Sequence, residues 1–166
     1  MGEVGKWLII GAGSLVGVGF VMWLFLLVTI RTGYDPGLTA IRRLNRRVTN
    51  PRVMRTAGQP GASASVIRHV GRISGKPYET PVGVIETGDD LLITLPYGTT
   101  ADWLKNVRAE GSAEMVHDGR TFRVEHPEVV PATEVAKHQG WQERFSQRLY
   151  GVDSVLRLRK SGLVGN

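Results

Sequence analysis

The sequence predicts an α+β protein: an apolar N-terminal helix long enough to span a membrane, then a small closed β-barrel carrying short helices. Three observations predict it. Leu8 to Ile30 runs without a charge. Downstream, short strand-like stretches alternate with turn signals rich in Gly, Pro and Asp. One helical stretch, Asp102 to Ala109, is inserted among those strands. The expected division is a transmembrane anchor over 1–33, a basic amphipathic helix and linker over 34–62, and a barrel domain over 63–166.

At ~1.5 Å per residue, Leu8–Ile30 matches a hydrocarbon core of about 30 Å. Trp7 and Tyr34 stand where interfacial aromatics belong. A cleaved signal peptide competes with this reading. Against it, the run is too long, only Lys6 is basic before it, and no Ala-x-Ala site follows. Gly11-Ala-Gly13-Ser-Leu-Val-Gly17 is no dinucleotide fingerprint, because the apolar run simply continues where a strand–turn–helix unit is needed. Gly13-xxx-Gly17 fits a helix–helix contact face, and equally the ordinary glycine content of such helices.

Charge is distributed unevenly. Of the formal +6, all the excess lies between Arg31 and Arg55, where seven arginines face one acid, Asp35. By the positive-inside rule the N-terminus is expected outside and the C-terminal domain in the cytoplasm. The same placement favours a lipid bilayer as partner over nucleic acid.

Asp35-Pro36 reads as a helix start, and Asn50-Pro51 as its stop. Leu38, Ile41, Leu44 and Val48 share a face, flanked by Arg42, Arg43, Arg46 and Arg47. Such a helix can lie on the inner leaflet or cover one end of the barrel. Thr56 to Ser65 is linker by composition.

Strands are expected over 65–71, 78–86, 91–96, 113–117 and 121–125, with helices over 100–109 and 131–138. Asp118-Gly119 is a hairpin turn, and the tail to Lys160 is expected to be helical in part. There is no cysteine, so no disulfide or thiolate chemistry. The histidines at 69, 117, 126 and 138 have no metal-ligand spacing, so no metal is expected.

Gly71-Arg72-Ile73-Ser74-Gly75-Lys76-Pro77-Tyr78-Glu79-Thr80-Pro81 is the stretch with chemistry in it. Ser-Gly and Lys-Pro mark a turn between two strands. Its tip can grip a phosphate through the Arg72 fork, the Lys76 charge, the Ser74 hydroxyl and the amides around Gly75. A plain solvated turn fits the same residues.

A second stretch, Thr94-Leu95-Pro96-Tyr97-Gly98 followed by the Asp102–Ala109 helix, completes a pattern. Gly71, Arg72, Ser74, Gly75, Thr80 and Pro81, then Trp103, Asn106, Val107 and Ala109, resemble the deazaflavin-dependent nitroreductase family. These are split β-barrels of the flavin-reductase or FMN-binding kind that bind the cofactor F420. The resemblance covers roughly 63–128.

The resemblance implies an F420-dependent oxidoreductase, with FMN or no cofactor as the alternative. It implies that Arg72, Ser74, Gly75 and Lys76 hold the anionic part of the cofactor, and that Tyr78, Thr80, Pro81 and Val82 line the groove. Thr94, Leu95, Pro96 and Tyr97 would approach the ring, and Trp103 and Asn106 would close the site. No catalytic side chain is assigned, since a deazaflavin brings its own redox chemistry. The tyrosine cluster of nitro-activating members is not recognisable, only Tyr150 being available. A reductase tethered to the membrane meets apolar molecules at high effective concentration, so a lipophilic acceptor such as a quinone or a nitro compound is expected, at the inner face of the membrane. A homodimer is allowed, and a non-catalytic lipid or fatty-acid carrier on the same barrel is the alternative.

Overall fold

Seven antiparallel strands form one sheet in the order β2-β1-β5-β6-β7-β4-β3. They are β1 (Ser65–Val70), β2 (Pro77–Val82), β3 (Val84–Thr87), β4 (Asp90–Thr94), β5 (Ser112–His117), β6 (Arg120–Pro131) and β7 (Ser154–Leu163). The computed structural model describes residues 3–136 and 139–164, without the side chains of 3–15, Glu143 and Ser146. Trp7, Gly13 of the Gly13-xxx-Gly17 pair and His138 therefore lie outside the described side chains.

The two edge strands, β2 and β3, are consecutive in the chain and meet at Gly83. The expected single strand over 78–86 is thus bent in two, and the sheet curls into a half-barrel whose margins are joined covalently. Inside sit Ile67, Leu91, Ile93, Leu104, Val107, Met115, Val124, Leu156 and Leu158, all 1% exposed or less. β4 is buried on both faces. Leu91 and Ile93 enter this core, while Leu92 joins Val130, Ala132, Val135 and Val155 in a second cluster under helix α5 (Ala132–Val135).

The Asp118-Gly119 turn joins β5 to β6 with both residues at positive φ, 48° and 73°, the type I′ geometry that hairpin twist favours. β6 runs past its expected end at Glu125 through a bulge and continues to pair with β7 as far as Pro131. Gly58 and Gly61, in the stretch read as linker, are tied down: Gly119 N–H donates to Gly58 O at 2.7 Å, and Gly61 N–H to Asp118 Oδ1 at 2.8 Å.

The C-terminal tail holds a helix, α6 (Trp141–Tyr150), but its last part is β7, inserted between β6 and β4. Leu156 and Leu158 alternate with Arg157 and Arg159, a period of two that marks a half-buried strand.

The membrane span expected over Leu8–Ile30 is corrected. Helix α1 covers Glu3–Thr32, but among the described residues no helix is long and apolar enough to cross a membrane. The end of α1 is committed to protein contacts. Thr29 is buried against Gly37, where a Cβ would stand 2.6 Å from Thr29 Cγ2. Arg31 Nη1 donates to Leu149 O at 3.0 Å, placing a cation at the C-terminus of α6. The single-pass localisation, with the N-terminus outside and the domain cytoplasmic, falls with the span.

The basic helix is also corrected in its boundaries and its neighbours. Helix α2 (Asp35–Leu44) continues through a π turn (Asn45–Thr49) into α3 (Asn50–Val53), instead of stopping at Pro51. Asn50 N–H reaches back five residues to Asn45 O. This wide turn sits just where a regular helix would drive the Pro51 ring into a carbonyl four residues earlier. Leu38 and Ile41 are buried in protein, and Arg42 and Arg46 turn to a cleft on the barrel rather than to an inner leaflet.

Candidate cofactor site

A cleft of about 710 Å³ opens between the α2–α3 helix, the β1–β2 hairpin and helix α4 (Asp102–Glu110). This is the size range of small-molecule sites. Each wall follows from local sequence. The hairpin turns at Gly75, whose φ of 64° suits glycine, and closes with Gly71 N–H to Lys76 O at 2.8 Å. Helix α4 starts after extended Ala101 and ends at left-handed Gly111, whose N–H bonds Val107 O. Its Leu104 and Val107 enter the core, which leaves Trp103 and Asn106 at the cleft.

Gly71 has no room for a side chain. A Cβ there would stand 2.5 Å from Ser74 Oγ and 2.7 Å from a Tyr78 ring carbon. Ser74 Oγ and Tyr78 OH are themselves 3.2 Å apart. Gly71→Ala is expected to push both out of the cleft and to destabilise the fold by about 1–3 kcal/mol, checked by urea unfolding.

A chain of polar contacts crosses the floor. Arg72 donates to Asn106 Oδ1 twice, from its main-chain N at 3.2 Å and from Nη1 at 2.8 Å. Arg72 Nη2 pairs with Asp102 Oδ1 at 3.2 Å. Asn106 Nδ2 lies 3.2 Å from His69 Nδ1, and His69 Nε2 lies 3.2 Å from Thr80 Oγ1. His69 and Asn106 are buried, at 7% and 6% exposure. Burial pushes the His69 imidazolium's pKa below its ordinary value.

On the opposite wall, Arg42 Nη2 donates to Tyr97 O at 2.6 Å and to Thr100 Oγ1 at 2.7 Å, and Asn45 Nδ2 to Tyr97 OH at 3.1 Å. Arg46 approaches Asp102 at 3.9 Å.

Of the residues expected here, Arg72, Ser74, Tyr78, Thr80, Pro81, Val82, Tyr97, Trp103 and Asn106 line the cleft. Gly75 and Lys76 sit at the exposed hairpin tip, and Thr94, Leu95 and Pro96 lie behind the lining, Leu95 in the core. Among the members that reading the sequence missed are Arg42, Asn45, Arg46, His69 and Asp102. Arg42, Asn45, Arg46 and Thr49 recur at helical spacing as one polar stripe, a signal that fits a lipid surface or the end of the barrel and does not by itself point to a cleft. His69 shares a strand face with buried Ile67, so its burial was legible too.

The residues present suit a flat ring with an anionic tail. Tyr78, Tyr97 and Trp103 offer aromatic wall, while Arg42, Arg46 and Arg72 outnumber Glu79 and Asp102. Arg42 Nε is buried with no partner, a spare donor beside the cleft. Among the described residues no cluster could hold a metal ion. A half-barrel with a cationic, aromatic cleft suits an organic cofactor that carries an anionic part.

The family model of F420H(2)-dependent quinone reductases matches residues 41–151, so the chain belongs to that family. It is an oxidoreductase, and its cofactor is F420. Similar solved structures include an F420 reductase at 15% identity and TM-score 0.41, covering 61% of this chain and 88% of that one. An F420-H2 dependent reductase is 13% identical with TM-score 0.39, covering 58% and 94%. A conserved hypothetical protein from Mycobacterium tuberculosis is 11% identical with TM-score 0.47, covering 62% and 76%. None of the curated proteins matches.

Proposed function

We propose that the protein transfers a hydride from reduced F420 to a lipophilic acceptor, a quinone before a nitro compound, in the cleft between the α2–α3 helix, the β1–β2 hairpin and α4. The observation that carries this is the convergence of Arg72, Arg46 and Arg42 on one aromatic-walled cleft in a chain of the quinone-reductase family. Bound F420 supplies the two-electron chemistry. The chain supplies grip and order. Arg72, its fork half-used by Asn106 and Asp102, keeps N–H donors for an anionic tail. Ser74 and Tyr78 add hydroxyls on the same side. Trp103 and Tyr97 would flank the ring and exclude water, Tyr97 being fixed at both its carbonyl and its hydroxyl by Arg42 and Asn45.

Fluorescence titration of the full chain with F420 tests the reading, beside Arg72→Ala. Binding at about micromolar Kd, weakened roughly tenfold or more in the variant, is the expected result. Oxidation of reduced F420 by a naphthoquinone should follow. Equal binding by both proteins removes Arg72 from the site, and binding without quinone turnover removes the acceptor.

A further inference from the structure

The polarity of the chain across the cleft floor is fixed by its end member. Arginine only donates, and two Arg72 N–H groups converge on Asn106 Oδ1. The amide oxygen therefore faces Arg72, and Nδ2, which only donates, faces His69 Nδ1. That nitrogen must carry a lone pair. The ring proton then sits on Nε2, facing the Thr80 hydroxyl.

We propose that His69 is a positioning residue of the cofactor cleft: neutral and protonated on Nε2, it orients the Asn106 amide and through it the Arg72 guanidinium. This rests on the reading of Arg72 as the cation that grips the cofactor. A second ring proton on Nδ1 would oppose the Asn106 NH₂. Rotating the amide would relieve that contact only by turning its NH₂ onto Arg72. Either way, Arg72 loses an acceptor that sets its direction.

The surroundings favour the neutral ring. Tyr78 of β2 stacks on it with centroids 5.8 Å apart and planes 21° from parallel. From α4, Asp102 is already paired with Arg72. Glu79 of β2, at the cleft's margin, and Glu114 of β5 are both paired with Arg68 of β1. The ring nitrogens meet Thr80 and Asn106, and among the described residues no carboxylate is paired with them. Burial lowers the pKa from 6.5, in the same direction.

Three measurements on the full chain test the proposal. Long-range ¹H–¹⁵N spectra of the free protein should show His69 protonated on Nε2 alone at neutral pH. F420 binding, followed by fluorescence, should stay level from about pH 8 down to about 6.5 and weaken below that, as the folded ring takes up a proton. His69→Gln can accept from Asn106 and donate to Thr80 without titrating. It should bind as the wild type does at about pH 8 and lose the acid-side fall. His69→Leu, which can do neither, should bind roughly tenfold more weakly at every pH.

A proton on Nδ1, an unchanged acid fall in His69→Gln, or wild-type binding by folded His69→Leu would each overturn the proposal. If Arg72→Ala binds F420 as the wild type does, the cofactor reading of Arg72 is what fails. The spectra of the free protein then still decide the polarity of the chain by themselves.

Discussion

Replacing Asn106 with leucine is expected to abolish micromolar F420 binding and to destabilise the fold by about 3 kcal/mol. The side chains are similar in size, so packing changes little. Hydrogen bonding changes a great deal. Asn106 Oδ1 accepts from both the backbone and the guanidinium of Arg72, and Nδ2 serves His69. With leucine in place, a buried ring nitrogen loses its partner at a desolvation cost of about 1–3 kcal/mol, and the Arg72 guanidinium is left with Asp102 alone. Urea unfolding and F420 fluorescence read the two effects separately. A variant as stable as the wild type would mean that the floor of the cleft is not held by this network.

Leu156→Ala should lower stability by about 2–5 kcal/mol, while Leu163→Ala on the same strand should change it by less than about 0.5 kcal/mol. Leu156 is 0% exposed and stands in register with Ile93 of β4 and Val129 of β6. Truncation there opens a void that three strands border, and a sheet this tightly paired has little freedom to collapse into it. Leu163, at the strand's end, is 68% exposed and leaves little void. Midpoints of urea unfolding at matched protein concentration make the comparison. Equal effects at the two positions would mean that β7 does not lie between β6 and β4.

Leu156 and Leu163 belong to a strand whose residues, read locally, fit a partly helical tail. Its evidence was short: Leu156 and Leu158 alternating with arginines over a few residues, directly after a true helix. What makes Ser154–Leu163 a strand is the place between β6 and β4 that completes both ladders. Gly83 is similar. The run from Tyr78 to Glu86 reads as one strand, and only the curl of the sheet requires it to break and serve both edges. The Asp118-Gly119 turn, by contrast, was fully legible, because a type I′ turn needs just those residues and no help from elsewhere.

The site divides along the same line. Gly71, Arg72 and Ser74, with Trp103 and Asn106, were readable because local backbone geometry and helix spacing carry them, together with the family resemblance. The arginines of the α2–α3 helix were readable as a basic stripe but not as cleft residues. Charge pattern alone gives a helix a polar face and does not say what that face meets. The uncharged run at the N-terminus misled for a related reason: hydropathy reads the composition of a segment, whereas Thr29 and Arg31 are placed by their contacts with Gly37 and α6.

By itself, then, the sequence determined the α+β class, most strand positions, and the hairpin and helix on which the family resemblance, and with it the expectation of F420, rests. Those follow from short-range rules, each satisfied within a few residues. Only the tertiary structure decided that β7 joins the sheet, that Arg42, Asn45 and Arg46 face the cleft, and that His69 stands behind Arg72. These depend on long-range pairing, where a side chain's role is set by partners that a local pattern cannot name.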